Sequence, residues 1–364
     1  MSNPYLNLKV VAITKETPDA ISIHLEHPEK KTINYKPGQF LTLILPIGGQ
    51  EVRRSYSLSS CPQEAPRLAV TVKRIEGGLV SNYLLENLQV GQEVKVMEPL
   101  GNFCLTCTPS GQRQVILFGA GSGITPLMSI LKAVLAEEPG STVTLLYGNR
   151  DEDAVIFKEQ LQQLQAAHPD RLQVVFLYSQ PKHDCEHRGR MNQSLILKIL
   201  ERLQLTKPQN AVYYMCGPEG MMAEVRHALD VLHVPADRIF RESFVSNKLI
   251  AEQEDAGQPQ HGVVASSEDD GEIVTQTVTI IYEGAEYSVK VEPDQTILEA
   301  ALDQDVDMPY SCQAGLCTAC RGKCLSGKVH LDEREGLSDA EMEEGYVLNC
   351  VGHPLTNNVV IEIG

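Results

Sequence analysis

Over the first hundred residues apolar and polar positions alternate in short runs: LNLKVVAI (6–13), ISIHLEH (21–27), QFLTLIL (39–45), SYSLSS (55–60), RLAVTVKRI (67–75) and EVKVMEP (93–99). Successive side chains of a strand point to opposite faces, so a period of two predicts half-buried strands. The pairs Pro37-Gly38, Gly48-Gly49 and Gly77-Gly78 fall between runs as turn signals. Many short strands broken by Gly/Pro turns predict an antiparallel β-barrel over residues 1–109. From residue 110 the pattern changes. Apolar runs QVILFGA, TVTLLYGN, LQVVFLY and AVYYMCG alternate with stretches of helical period such as PLMSILKAVLAEE and EGMMAEVRHALDVL. That alternation predicts a parallel sheet flanked by helices, an α/β domain over residues 110–245.

Residues 246–274, SNKLIAEQEDAGQPQHGVVASSEDDGEIV, are acidic and poor in large apolar side chains. Such a segment buries too little apolar surface to offset its ordering entropy and is expected to be a flexible linker. Residues 275–364 then open with TVTIIYEGAEYSVKVE, a hairpin turning at Glu283-Gly284, followed by TILEAALDQD. Thr296 and Glu299 have the spacing of a capping box that starts a helix, so this third domain is expected to be α+β.

A chain of 364 residues accommodates three such domains. No run of 18 apolar residues occurs, and the N-terminus lacks a basic-then-apolar leader pattern; the expectation is a cytoplasmic protein with no membrane span. Charge divides the chain. Residues 1–245 carry 25 acids and 25 Lys/Arg, whereas residues 246–364 carry 23 acids and 6 Lys/Arg, which supplies the whole net charge of −17. Nucleic acid is therefore not an expected partner. A protein with a basic docking surface is, because opposite potentials speed encounter, although acidic surface also simply aids solubility.

The third domain concentrates cysteine. Cys312, Cys317 and Cys320 have the spacing C-x4-C-x2-C, and Cys350 follows thirty residues after Cys320. Three thiolates from one tight loop and a fourth from a distant segment enclose a [2Fe–2S] cluster, the plant-type arrangement. Ser311, Ala314, Gly315, Thr318, Ala319 and Gly322 keep the loop small, so that backbone N–H groups approach the sulfurs. Zinc is the rival, with His353 as a conceivable ligand, but Cys350 lacks the paired cysteine of a zinc ribbon. Cys324 falls outside the pattern and reads as a spectator thiol. Cys104 and Cys107, three apart in an alternating strand, are expected on opposite faces, and Cys61 and Cys185 carry no local signal. A cytosolic setting argues against disulfides.

Three further stretches carry chemistry. RRSYSLSS (53–60) presents Arg54, Tyr56 and Ser57 on one barrel strand. In VKRIEGGLVSNYL (72–84), Gly78 leads into Val80 and Ser81 at a helix start, where free N–H groups suit a pyrophosphate. GAGSGITP (119–126) follows a strand; Gly119, Gly121 and Gly123 allow close backbone approach of a dinucleotide, and Thr125 as helix cap with Pro126 at the first position would start the helix. MCGPEGMM (215–222) sets Cys216, Gly217 and Pro218 at a strand end.

Together these residues resemble the ferredoxin–NADP reductase superfamily, and residues 275–364 resemble a plant-type ferredoxin of β-grasp fold. The order of domains is similar to that of the reductase family serving phenylacetyl-CoA epoxidase, a diiron oxygenase. The resemblance implies FAD, a [2Fe–2S] cluster ligated by Cys312, Cys317, Cys320 and Cys350, and a nicotinamide cofactor. It implies that Arg54 pairs with the flavin phosphate, Tyr56 stacks on the isoalloxazine and Ser57 bonds near N5. It places Cys216 beside the nicotinamide, with Phe244 covering the flavin and Glu242 assisting proton movement. Arg150, after the strand TVTLLYGN, favours a 2′-phosphate and hence NADPH; the following Asp151, Glu152 and Asp153 keep NADH open. The implied activity is electron transfer from NAD(P)H through FAD and the cluster to an oxygenase. The alternatives are another client, such as a ring hydroxylase or a hybrid-cluster system, and a redox-sensing module.

Overall fold

The computed structural model describes residues 5–206, 210–244, 273–282, 284–306, 308–310, 313, 315, 317–334, 336–337 and 339–363. The chain divides into two compact units, the first covering Met1–Pro99 and Phe103–Phe244 and the second holding the C-terminal sheets.

Six antiparallel strands form the first sheet: β1 (Tyr5–Thr17), β2 (Ala20–Glu26), β3 (Phe40–Ile47), β4 (Gln50–Ser57), β5 (Arg67–Lys73) and β6 (Glu93–Met97), ordered β4-β3-β6-β1-β2-β5. Just past β4, Leu58 bridges Val70, and the Ser59 N–H donates to the Ala69 carbonyl at 2.8 Å. These bonds join the two sheet edges, so the barrel closes and leaves β4 and β5 without open edges there. Alternate positions point inward and are buried together, among them Leu8, Val10, Ile23, Leu25, Leu41 and Leu43. β3 and β4 turn on Gly48 and Gly49, with φ of 62° and 83°, the doubly left-handed turn whose twist matches a hairpin. Helix α1 (Leu79–Asn87) connects β5 to β6.

The second sheet holds β7 (Gln114–Ala120), β8 (Thr142–Asn149), β9 (Leu172–Tyr178), β10 (Ala211–Cys216) and β11 (Ile239–Glu242), parallel and ordered β11-β10-β7-β8-β9. Helices α2 (Ile124–Glu137), α3 (Lys158–Ala167), α4 (Gln193–Arg202) and α5 (Glu219–Val231) complete it. Val115 and Leu117 join one apolar cluster while Ile116 and Phe118 join another. Both faces of β7 are therefore covered, which is why its sequence is continuously apolar rather than alternating. The strand order reverses at β7, so a crevice opens at its carboxyl end between α2 and β10, where such sheets bind ligands.

In the C-terminal unit, β12 (Gln276–Tyr282), β13 (Ala285–Val291), β14 (Arg321–Ser326), β16 (Tyr346–Leu348) and β18 (Val360–Ile363) form a mixed sheet ordered β13-β12-β18-β14-β16, with β15 (Val329–Leu331) and β17 (Gly352–Pro354) as a separate pair. Helix α6 (Ile297–Asp303) buries Ile297, Leu298, Ala300 and Ala301 against Val278, Ile280 and Val289. Its start is the capping box expected from sequence: Thr296 accepts from the Glu299 N–H, and the Glu299 side chain accepts from the Thr296 N–H. Helix α7 (Asp339–Glu343) precedes β16. Tyr282 pairs Ala285 across the hairpin; its expected turn residue Glu283, like Cys312 and residues 246–272 of the expected linker, lies outside the described residues. Among the described residues no helix is long and apolar enough to cross a membrane.

Residues 103–108 differ from expectation. FCLTC is irregular backbone, not strand. Phe103 is buried edge-on to Tyr214 with ring centroids 5.3 Å apart, and the Tyr214 hydroxyl donates to the Cys104 carbonyl at 3.2 Å. The Leu105 N–H in turn donates to the Pro37 carbonyl at 3.1 Å, so the segment divides its backbone bonds between the barrel and the parallel-sheet domain instead of a ladder.

Candidate functional site

The flavin motif lies on β4, where strand alternation decides which side chains are available. Arg53 is held inside: its guanidinium contacts Glu51 at 3.0 Å and its side chain is 3% exposed. Arg54 points the other way, is exposed, and forms no ion pair among the described residues. Tyr56, two residues on, shares its face. Burial pushes the Tyr56 phenol up to about 12, with Arg54 opposing the shift. Ser57 is buried on the opposite face, next to the barrel closure. A free guanidinium beside a half-buried aromatic ring fits a phosphate-bearing planar ring system.

The start of α1 lies beyond β5. Gly77 has φ of 71°, and Gly78 is the helix cap. A Cβ on Gly78 would meet the Ser81 hydroxyl at 2.8 Å and the Ile75 carbonyl at 3.1 Å, so glycine lets the chain fold tightly here. The Ser81 hydroxyl accepts from the Ile75 N–H at 3.1 Å. Ser81 and Val80 are buried, so their side chains brace the turn while the helix's first amides remain available for an anion.

At the crevice, Gly121 has φ of 54°, a left-handed conformation that favours glycine. Tyr147, fully buried on β8, donates its hydroxyl to the Gly121 carbonyl at 2.9 Å. A Cβ on Gly123 would lie 2.0 Å from the Cys216 carbonyl oxygen, so the glycine turn and the Cys-Gly-Pro strand end are in direct backbone contact. Gly119 is also crowded, with Leu127 3.0 Å from a Cβ there. The expected cap is corrected: α2 begins at Ile124 with Gly123 as cap, and Thr125 is a buried helical residue that donates to the Ser122 carbonyl at 3.0 Å. Pro126 correspondingly stands third in the helix, where its missing N–H still costs no intrahelical bond. The Cys216 thiol is fully buried, and burial first, then the charge of Glu242, push it well above its usual value. Burial and the neighbouring carboxylate thus favour the protonated thiol. Pro218 caps α5, and Gly217 packs against Ala120. Glu242 pairs in register with Cys216 on the neighbouring strand, and Phe244 is 48% exposed beyond it.

Two residues were missed from sequence. Lys73, at the end of β5, brings its ammonium 4.0 Å from the position of a Gly121 Cβ, so a barrel cation stands over the nucleotide turn. Asn349 is fully buried; its amide donates to the Cys320 carbonyl at 2.8 Å and so ties the Cys350 segment to the cysteine loop. Lys73 lay visible in VKRIEGG, but nothing local linked it to residue 121.

Arg150 directly follows β8; its side chain is 69% exposed, with its Nε bonded to Asp151 at 3.1 Å. The three acids after it are occupied. Asp151 accepts from the Asp153 and Ala154 N–H groups, Glu152 accepts from the Lys182 and His183 N–H groups, and Asp153 pairs with the Lys182 ammonium at 2.6 Å.

In the C-terminal unit Cys317, Cys320 and Cys350 are 2%, 1% and 6% exposed, and Cys320 and Cys350 pack into the apolar core. The Gly315 N–H donates to the Cys350 sulfur at 3.4 Å, the kind of bond that steadies a ligating thiolate. Gly336 leaves no room for a side chain, because a Cβ there would lie 2.8 Å from the Cys317 nitrogen. Buried, closely wrapped thiols with N–H donors fit an iron–sulfur cluster. Cys324 differs: its thiol donates to the Ser326 carbonyl at 3.2 Å, and burial pushes its pKa up. His353 is bonded through Nε2 to Asp332 at 3.0 Å, away from a ligand role.

Three domain families match: an oxidoreductase FAD-binding domain at residues 7–104, an oxidoreductase NAD-binding domain at 117–227 and a 2Fe-2S iron-sulfur cluster binding domain at 280–355. The chain is 33% identical over 361 residues to a component polypeptide of 1,2-phenylacetyl-CoA epoxidase from Escherichia coli (strain K12), covering 98% of this chain and 97% of that one. It is 36% identical over 366 residues to the ferredoxin reductase component of 3-ketosteroid-9-alpha-monooxygenase from Rhodococcus rhodochrous, covering 98% and 96%. In fold it is similar to phthalate dioxygenase reductase, with a TM-score of 0.60 at 23% identity over 99% of this chain and 98% of that one. With three matched cofactor domains and two relatives aligned almost end to end, the chain belongs to the family of oxygenase reductase components that join FAD-, NAD- and 2Fe-2S-binding domains in one polypeptide.

Proposed function

We propose that this reductase takes electrons from NADPH and delivers them to a diiron oxygenase of the phenylacetyl-CoA epoxidase kind. The observation that carries the client is the 33% identity, across almost the whole of both chains, to a component of that epoxidase. A second reading, a monooxygenase client, rests on the 36% identity to the ketosteroid monooxygenase component.

A bound flavin accepts two electrons as hydride and releases them singly to an iron–sulfur cluster. Arg54 would hold a flavin phosphate, with Tyr56 against the ring and Gly78, Val80 and Ser81 at the pyrophosphate; Ser57, buried on the other face of β4, would border the ring through its backbone. Gly119, Gly121 and Gly123 would admit the nicotinamide dinucleotide backbone to backbone, with Cys216, Gly217 and Pro218 setting the far wall. Glu242 and Phe244 would border the flavin face. Cys312, Cys317, Cys320 and Cys350 would ligate the cluster, and Cys324 would not. The domains would run 1–109, 110–245 and 275–364, with residues 246–274 as linker, and the acidic C-terminal domain would meet a basic surface on the oxygenase.

NADPH is preferred because Asp151, Glu152 and Asp153 are already spent on their own loop, leaving none of these three carboxylates for a ribose diol, while the exposed Arg150 guanidinium retains donors for a 2′-phosphate. Comparing kcat/KM for NADPH and NADH tests this. A tie or an NADH preference rejects it. For the client, each purified oxygenase is added to the reduced protein: faster reoxidation by the epoxidase than by the steroid monooxygenase supports the first reading, and the reverse order supports the second.

A further inference from the structure

Helix α2 of the nucleotide domain grips one peptide unit of the flavin barrel at both of its polar ends. The unit joins Ser60 to Cys61, shortly past Ser57 of the flavin motif and just beyond the barrel closure. At one end Ser129 Oγ donates to the Ser60 carbonyl at 2.5 Å. At the other the Cys61 N–H donates to Glu64 Oε2 at 2.9 Å, and the Lys132 ammonium bonds both oxygens of that carboxylate, at 2.9 Å and 3.0 Å. Ser129 and Lys132 stand at i and i+3 on α2, so they share a face of the helix.

Both sides of the grip are firmly held. Ser60 is 2% exposed; its hydroxyl accepts from the Ala69 N–H at 2.9 Å and lies 2.9 Å from the Tyr35 hydroxyl. The peptide therefore moves only with β5 and the barrel closure. Ser129 is 0% exposed. A serine inside a helix ordinarily turns its hydroxyl back to a carbonyl one turn earlier. Ser129 spends its hydroxyl on another domain instead. The helix leaves directly from the Gly121–Gly123 turn, and every residue from Ile124 to Leu131 is buried. From Gly123 to Ser129 the helix rises about 9 Å. One short buried rod thus connects the nucleotide turn to the end of the flavin strand. Tyr214 also ties the two domains, but its hydroxyl lands on the Cys104 carbonyl, in the segment that leaves the barrel, and not beside the flavin motif.

We infer that Ser129, backed by Lys132, is a positioning residue for hydride transfer: by holding the Ser60–Cys61 peptide it sets the flavin strand at a fixed distance from the nucleotide turn at the head of the same helix. The inference rests on the NAD(P)H-to-flavin reading above. Reacting atoms tolerate little displacement, and a misplacement of about 1 Å costs about a hundredfold in rate. Ser129 is separated from the glycine turn by the length of that rod, and Ser60 follows the flavin motif, so NADPH affinity and flavin retention should not follow the rate.

The test is anaerobic stopped-flow reduction of the flavin by NADPH in the holoenzyme, with nucleotide concentration varied. In Ser129→Ala the limiting rate is expected to fall about tenfold or more, while the apparent dissociation constant for NADPH and the flavin content stay within about threefold. Ser141→Ala is the comparison. Ser141 is a fully buried serine just ahead of β8, at the sheet end opposite the crevice, and its hydroxyl donates to Glu138 at 2.7 Å. Its loss should lower the melting temperature, as the loss of Ser129 does, yet leave the limiting rate within about twofold of wild type. If Ser129→Ala does not fold, Lys132→Met releases the other end of the grip while keeping an apolar stem, and should lower the limiting rate about threefold or more. A limiting rate within about twofold of wild type in the cut variant overturns the inference. So does a fall that Ser141→Ala reproduces, or one matched by an equal loss of NADPH affinity or of flavin. Failure of NADPH to bleach the flavin of the wild-type protein would instead reject the underlying reading.

Discussion

Gly123 and the Cys216 carbonyl are in contact so close that a single methyl group on residue 123 would lie 2.0 Å from that oxygen. The turn after β7 and the end of β10 are thus one structure, and the nucleotide crevice is built from their junction. Gly123→Ala must push the turn off the strand. The expected outcome is a tenfold or greater rise in KM for NADPH, about 1.4 kcal/mol, with flavin still reducible by dithionite; steady-state kinetics beside a dithionite titration check it.

The proposed ligand set makes the cysteines behave differently. Cys350→Ser should remove the cluster absorbance while leaving the flavin and NADPH–ferricyanide activity. Cys324→Ser should leave the cluster in place, since that thiol is spent on the Ser326 carbonyl. Iron content and visible absorbance of both variants decide it, and loss of iron from Cys324→Ser would refute the ligand set.

Adjacent arginines on β4 should fail in different ways. Arg54→Ala is expected to weaken flavin retention with little change in melting temperature, and Tyr56→Ala likewise. Arg53→Ala removes a buried guanidinium from Glu51 and should cost about 1–2 kcal/mol of stability without changing flavin content per folded molecule. Flavin release during gel filtration and thermal melts of apoprotein distinguish them.

A pH dependence follows from Asp332 and His353. Their hydrogen bond holds the His353 pKa above its ordinary 6.5 and the Asp332 pKa below its ordinary 3.8. A raised histidine pKa means its stabilisation is fully present below pH 6.5 and is lost as pH rises through the folded value; a lowered aspartate pKa means its stabilisation is present above 3.8 and lost as pH falls through the folded value. Thermal loss of cluster absorbance should therefore occur at lower temperature as pH rises from about 6 to about 8.5, and His353→Gln should flatten that slope.

Local spacing made much of this legible. The barrel strands, the continuous runs of the parallel sheet and the Thr296–Glu299 capping box are each encoded within a few residues. The cysteine loop was equally local. What the chain order hid was contact between distant segments. Gly123 meets Cys216, Lys73 stands by Gly121, and Asn349 clamps Cys320, and none of these has a signal in its own neighbourhood. Thr125 misled for a related reason: cap residues are common just ahead of a helix, but here the glycine turn itself begins the helix, so Thr125 is already inside it. FCLTC misled because alternation was read where Phe103 answers to Tyr214 on another domain.

The most direct test of the electron path is the visible spectrum of the anaerobic protein before and after NADPH. The account predicts overlapping flavin and iron–sulfur bands that both bleach. Bleaching of the flavin alone, or the absence of cluster bands from protein carrying full iron, would contradict it.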